Sequence, residues 1–147
     1  MSQSIGFLMH IPMFAMRERL KLTLAKHQIK FGYWYYLRVL YDRDGLSQRD
    51  LVRRAGAMQP NTANILNKMA KEGLVVIERQ ADDRRRIVIR LTPKARRLIV
   101  RVLPEMKDID RAVVLDGLTE SEQKQLRRML GKICNRLQAQ KADDETA

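Results

Sequence analysis

Apolar residues Ile5, Leu8, Met9, Met13, Met16 and Leu20 recur at steps of three and four, the period of one helical face. They predict an amphipathic helix over residues 5–25. Pro12 falls inside it, and its missing N–H and ring clash predict a kink or a late regular start. Tyr33, Trp34, Tyr36, Leu37, Leu40 and Tyr41 make a second apolar face over 32–41, stopped by the polar segment 42–45. Ser47 and Asp50 form a capping-box variant ahead of Leu51, Val52 and Ala55, so a short third helix is expected, ending at Gly56. A fourth is expected from about Gln59 and Pro60, burying Ile65, Leu66 and Met69 and stopping at Gly73.

The period then changes from helical to alternating. Residues 74–77 and 87–91 are rich in β-branched side chains and flank a charged loop over 79–86, which predicts an antiparallel hairpin. Thr92 followed by Pro93 supplies an N-cap and a first-turn proline for a helix carrying Ala95, Leu98, Ile99 and Val102, with Pro104 a candidate bend. Thr119 and Glu122 form a full capping box for a last helix with Leu126, Met129, Leu130, Ile133 and Leu137 on one side. The polar tail over 141–147 is expected to fray. The pattern as a whole predicts a mainly α (α+β) fold, a helix-turn-helix followed by a basic hairpin.

Charge sharpens this outline. The chain of 147 residues has 29 Lys and Arg against 17 Asp and Glu, a net charge of +12. Half of that excess is concentrated in 79–97, where eight basic residues face only Asp82 and Asp83. A basic block alone has bland readings: a solvated face, a solubility device or a membrane-surface patch. Its place behind a helix-turn-helix favours a phosphate-binding wing. On this plan the fourth helix enters the major groove and the hairpin tip reaches phosphates or the minor groove. Gln59, Asn61, Thr62, Asn64 and Lys68 would form the exposed hydrogen-bonding face of that helix, with Ser47 and Gln48 at the start of the helix before it. Arg84, Arg85 and Arg86 would supply guanidinium groups to a narrow groove.

Other chemistry finds little support. No apolar run is long enough to span a membrane, and the N-terminal pattern, interrupted by His10 and Pro12, is not that of a secretory signal. A single cysteine, Cys134, fits a reducing cytoplasm and, on an apolar helix face, reads as inert packing. Two histidines and scattered carboxylates match no metal site, and neither a P-loop, a dinucleotide loop nor a nucleophile elbow is present. The expectation is a cytoplasmic protein that is not an enzyme and takes no metal or cofactor. The aromatic set around Tyr33 and Trp34 reads first as packing.

Three stretches together resemble the MarR family of transcriptional regulators: residues 45–51, residues 71–75, and Asp83 and Arg85 leading into Leu91 and Thr92. The match runs over about 5–137 in the family's order, and the wing motif is its sharpest element. The resemblance implies one MarR-type domain over 1–147, with a winged helix-turn-helix lobe at 30–92 and dimerisation helices at 1–28 and 93–142. It implies a homodimer on a pseudo-palindromic operator in double-stranded DNA, with Asp83 shaping the wing and Arg85 contacting DNA. The turn at Gln59 and Pro60 resembles the SlyA branch, although Asn64 stands where an arginine is common.

The resemblance further implies a small organic effector, often an aromatic carboxylate or phenol, between dimer helices and DNA-binding lobe. His10, Met13, Arg17, Tyr33 and Trp34 are the lining residues it nominates, with Arg17 or His10 meeting a carboxylate. Residues 32–35 resemble a Gly-His-Trp variant of regulators of aromatic catabolism, with tyrosine in place of histidine. The resulting expectation is a ligand-responsive repressor. Two alternatives stay open from the residues alone: a basic winged helix bound to RNA or the ribosome without sequence specificity, and a winged helix serving protein contacts.

Overall fold

Among residues 4–56, 61–80 and 87–144, which the computed structural model describes, six α-helices and one hairpin follow in sequence. They are α1 (Ile5–Lys26), α2 (Phe31–Asp42), α3 (Gln48–Ala55), α4 (Thr62–Lys71), β1 (Val75–Arg79), β2 (Ile87–Leu91), α5 (Pro93–Asp110) and α6 (Glu120–Asp144). A π-helical stretch, Arg111–Leu115, lies between the last two. The chain divides into two compact units, Leu24–Leu103 and the pair of segments Met1–Thr23 with Pro104–Ala147.

The first unit is a winged helix-turn-helix lobe, and local chemistry sets most of its element ends. Ser47 Oγ accepts the Asp50 backbone N–H at 3.1 Å, while its hydroxyl donates to the Asp50 carboxylate at 2.9 Å, so α3 starts where the capping pattern predicts. Gly56 closes α3 in the left-handed conformation at φ 64. At the end of α4, Gly73 (φ 70) and Leu74 donate back to the Ala70 and Met69 carbonyls, the paired bonds of a glycine-terminated helix. Thr92 caps α5: its Oγ accepts the Ala95 N–H at 3.1 Å and its hydroxyl donates to the Gly73 carbonyl at 2.7 Å.

The hairpin pairs Val75 with Leu91 through to Arg79 with Ile87. A third short edge joins it, because the Ile89 N–H donates to the Leu46 carbonyl at 2.8 Å. Inside the lobe, Tyr36, Leu37, Leu40, Leu51, Met69 and Ile99 are fully buried. Apolar burial of this kind stabilises at about 25 cal/mol per Å².

The second unit differs in character. Among its described residues only Leu20, Thr23 and Ile109 are buried, while Ile5, Phe7, Leu8, Met13 and Phe14 of α1 and Met129, Ile133 and Leu137 of α6 stay exposed within the single chain. The expected one-sided α1 is therefore corrected: its apolar residues lie on every side. Pro12 does not end it, since proline's fixed φ is itself helical and the cost is one backbone bond and a local clash. Helix α6 also runs on through residues 141–144, past the expected fraying point. Cys134 is exposed, so the packing expected of it is not made within the chain. No described helix is long and apolar enough to cross a membrane.

Candidate nucleic-acid interface

Helix α4 divides cleanly into two faces. Thr62, Leu66 and Met69 point inward, and Asn61, Asn64, Asn67, Lys68 and Lys71 point outward at the same helical spacing. Amides and ammonium groups on one face can donate and accept at base edges and neutralise phosphates. Asn61, Asn64 and Lys68 thus lie where the sequence put them. Asn67 is an addition that the three-residue step from Asn64 signals. Gln48 is exposed at the start of α3, and the Ser47 hydroxyl is taken up by its capping bonds.

Thr62 is a correction. Placed on the exposed face by sequence reasoning, it is instead 6% exposed, with its hydroxyl 3.2 Å from the Tyr36 phenol inside the lobe. As the first residue of α4 it lies one turn ahead of Leu66, so helical geometry turns it toward the core. Gln59, Asp83, Arg84, Arg85 and Arg86 lie outside the described residues.

The far end of α4 is tied down by a polar cluster. The Glu72 carboxylate accepts the Lys30 ammonium and, at 3.0 Å, the Tyr33 hydroxyl; Lys30 Nζ also reaches the Tyr33 oxygen at 3.3 Å. The Lys30 bond holds the Glu72 carboxyl below its ordinary range, and Glu72 in turn raises the Lys30 ammonium. Burial pushes the Tyr33 phenol up, so it stays a protonated donor. Lys94 Nζ donates to the Glu72 backbone carbonyl at 2.9 Å.

The wing is braced at its root. Asp44 Oδ1 accepts the Leu91 N–H at 2.9 Å and Asp44 Oδ2 pairs with Arg96 at 2.6 Å. Arg90 lies 3.4 Å from Glu78 across the strands. These contacts account for two basic residues of the 79–97 block as structural.

The nominated effector residues fall in two groups. His10, Met13 and Arg17 lie on exposed positions of α1, while Tyr33 and Trp34, each 5% exposed, are packed in the lobe. Among the described residues no cluster of three His, Cys, Asp or Glu is arranged to hold a metal.

Residues 27–86 match the sequence profile of the MarR family. No curated protein matches the chain. The fold is shared with solved structures. MepR of S. aureus, in a DNA complex, superposes with a TM-score of 0.76 at 23% identity, covering 92% of this chain and 99% of its own. CouR from Rhodococcus jostii, bound to p-coumaroyl-CoA, gives 0.79 at 21% identity over 90% and 93%. A MarR family protein of Mycobacterium tuberculosis in complex with p-aminosalicylic acid gives 0.70 at 25% identity over 89% and 98%.

Proposed function

We propose, from the premise that this chain is a winged-helix protein of the MarR family, that it is a homodimeric repressor binding a pseudo-palindromic operator and released by a small organic effector. The observation that carries the DNA-binding part is the outward face of α4, where Asn61, Asn64, Asn67, Lys68 and Lys71 are exposed, set between a capped α3 and a braced hairpin. That face would read base edges in the major groove, with Arg84, Arg85 and Arg86 of the basic hairpin tip on phosphates or the adjacent minor groove. The likeness to MepR, solved on DNA, supports the same mode.

The dimer reading rests on the second unit. Exposed apolar side chains along α1 and α6 leave more apolar surface than an isolated chain stabilises, and a second copy would cover it. The effector reading draws on CouR and the Mycobacterium protein, which hold an aromatic acyl thioester and an aromatic carboxylate. The ligand would act by favouring a spacing of the two α4 helices that no longer fits successive major grooves; a coupling of about 1–3 kcal/mol suffices.

Competition binding tests the core of this. A labelled duplex from beside the protein's own gene is challenged with random duplex and with RNA at fixed salt. Preference for the promoter duplex by about a thousandfold is expected. Equal competition by random DNA or RNA refutes the regulator reading in favour of a nonspecific nucleic-acid binder.

A further inference from the structure

Two tyrosines one turn apart on α2 hold the two ends of α4. Tyr36, fully buried, has its hydroxyl 3.2 Å from Thr62 Oγ at the first residue of α4. Tyr33 donates at 3.0 Å to Glu72, the C-cap of the same helix. Lys30, the N-cap of α2, completes the second contact through the Glu72 carboxylate. The two contacts differ in kind. The Tyr36 contact is neutral and sealed, whereas Glu72 is a charged acceptor whose side chain keeps 39% exposure.

The lever is geometric. A helix held at one point can rock about it, while one held at both ends has its tilt fixed relative to α2. The outward Asn64, Asn67 and Lys68 are distributed along the span between the contacts, and Asn61 precedes it directly. Base readout tolerates little misplacement, because bidentate amide contacts need both distance and direction. Phosphate contacts by flexible lysines tolerate far more.

We propose that the Tyr33–Glu72 and Tyr36–Thr62 hydrogen bonds form a two-point grip in which Tyr33 and Glu72 are positioning residues that set the pose of α4 and so its sequence discrimination. The DNA half of this proposal rests on the regulator reading above; the grip itself does not.

Tyr33→Phe and Glu72→Met, each removing one partner of the Tyr33–Glu72 hydrogen bond at similar volume, separate the two. In DNA-free full-length protein, amide exchange across α4 should rise by about two- to tenfold in both variants, while β1, β2 and α3 keep wild-type protection. On DNA, the ratio of promoter-duplex to random-duplex affinity should fall by a similar factor, with the slope of affinity against salt unchanged. Exchange that is unchanged, or that rises evenly across the lobe, overturns the grip. An unchanged affinity ratio alongside faster α4 exchange overturns its role in discrimination. If the wild type itself shows no promoter preference, the regulator reading fails, and the exchange result alone upholds or overturns the grip.

Discussion

The Asp44 carboxylate lies 2.6 Å from the Arg96 guanidinium and, through its other oxygen, accepts the Leu91 N–H at 2.9 Å, so one side chain joins the segment before α3 to β2 and the first turn of α5. The Arg96 side chain is 44% exposed, so the ion pair itself is worth less than about 1 kcal/mol. The Leu91 amide, half-shielded, loses its acceptor if Asp44 is truncated, at about 1 kcal/mol more. Asp44→Ala should lower stability by about 1–2 kcal/mol and Asp44→Asn by less, since an amide oxygen still accepts. Urea midpoints decide this; equal midpoints for the two variants would contradict it.

Gly45 sits at φ 69, and a Cβ there would lie 2.7 Å from Arg90 Nη1. Gly56, at φ 64, has open space around it. Each Gly→Ala change should cost about 1 kcal/mol from left-handed backbone strain. The two should agree within about 0.5 kcal/mol, because the flexible Arg90 tip can swing away. A much larger loss at Gly45 in thermal melts would show Arg90 to be fixed.

Lys68 and Asn64 should separate affinity from discrimination. Lys68→Ala should weaken promoter and random duplex alike and reduce the salt slope by about 1. Asn64→Ala should cost about 1–3 kcal/mol on the promoter and relax base preference at one position of each half-site. Fluorescence anisotropy titrations at several salt concentrations, with base-substituted duplexes, read both effects. Identical profiles for the two variants would remove the division of labour.

Glu122 accepts the Thr119 N–H at 2.8 Å in the α6 capping box, and that bond lowers its pKa from 4.5. A depressed carboxylate contributes stability that is fully present above its unfolded value and is lost as pH falls through the folded one. Wild type should therefore lose more stability than Glu122→Gln between about pH 5 and about pH 3. Parallel acid profiles in denaturant unfolding would mean that the Glu122 charge contributes nothing.

Ile133, 44% exposed on α6, tests the proposed dimer. Burying a charge in an apolar interface costs several kcal/mol unless it is paired. Ile133→Glu should shift sedimentation from dimer to monomer at micromolar concentration while the lobe keeps its far-UV and tyrosine signals. A mutant that sediments as wild type would place the dimer contact elsewhere.

Several elements were legible before any coordinates. Caps and turns act over three or four residues, so Ser47 with Asp50, Thr119 with Glu122, and the left-handed Gly56 and Gly73 can be located from sequence alone. Strand β2 fell on its expected residues, and β1 shifted onward because Leu74 is held in the closing turn of α4. Helix α4 begins at Thr62, later than the sequence pattern predicts, and Thr62, four residues before the buried Leu66, turns inward by helical spacing although its side chain is of a hydrogen-bonding type. Asn61, Asn64 and Lys68 survived the shift because helical spacing is unaffected by where the first turn begins. The edge formed by Leu46 against Ile89 left no sequence signal, being a single bridge between distant segments.

By itself, then, the sequence determined the order of elements, the capped helix ends at Ser47, Gly56, Gly73, Thr92 and Thr119 and the concentration of charge beside a helix-turn-helix, since each follows from neighbours along the chain. Tertiary structure alone decided which distant polar partners meet. Tyr33 and Glu72 are 39 positions apart and Asp44 and Arg96 are 52. Such pairs meet only when apolar faces pack, because burial sets the direction of every side chain on a helix and a charge pattern does not.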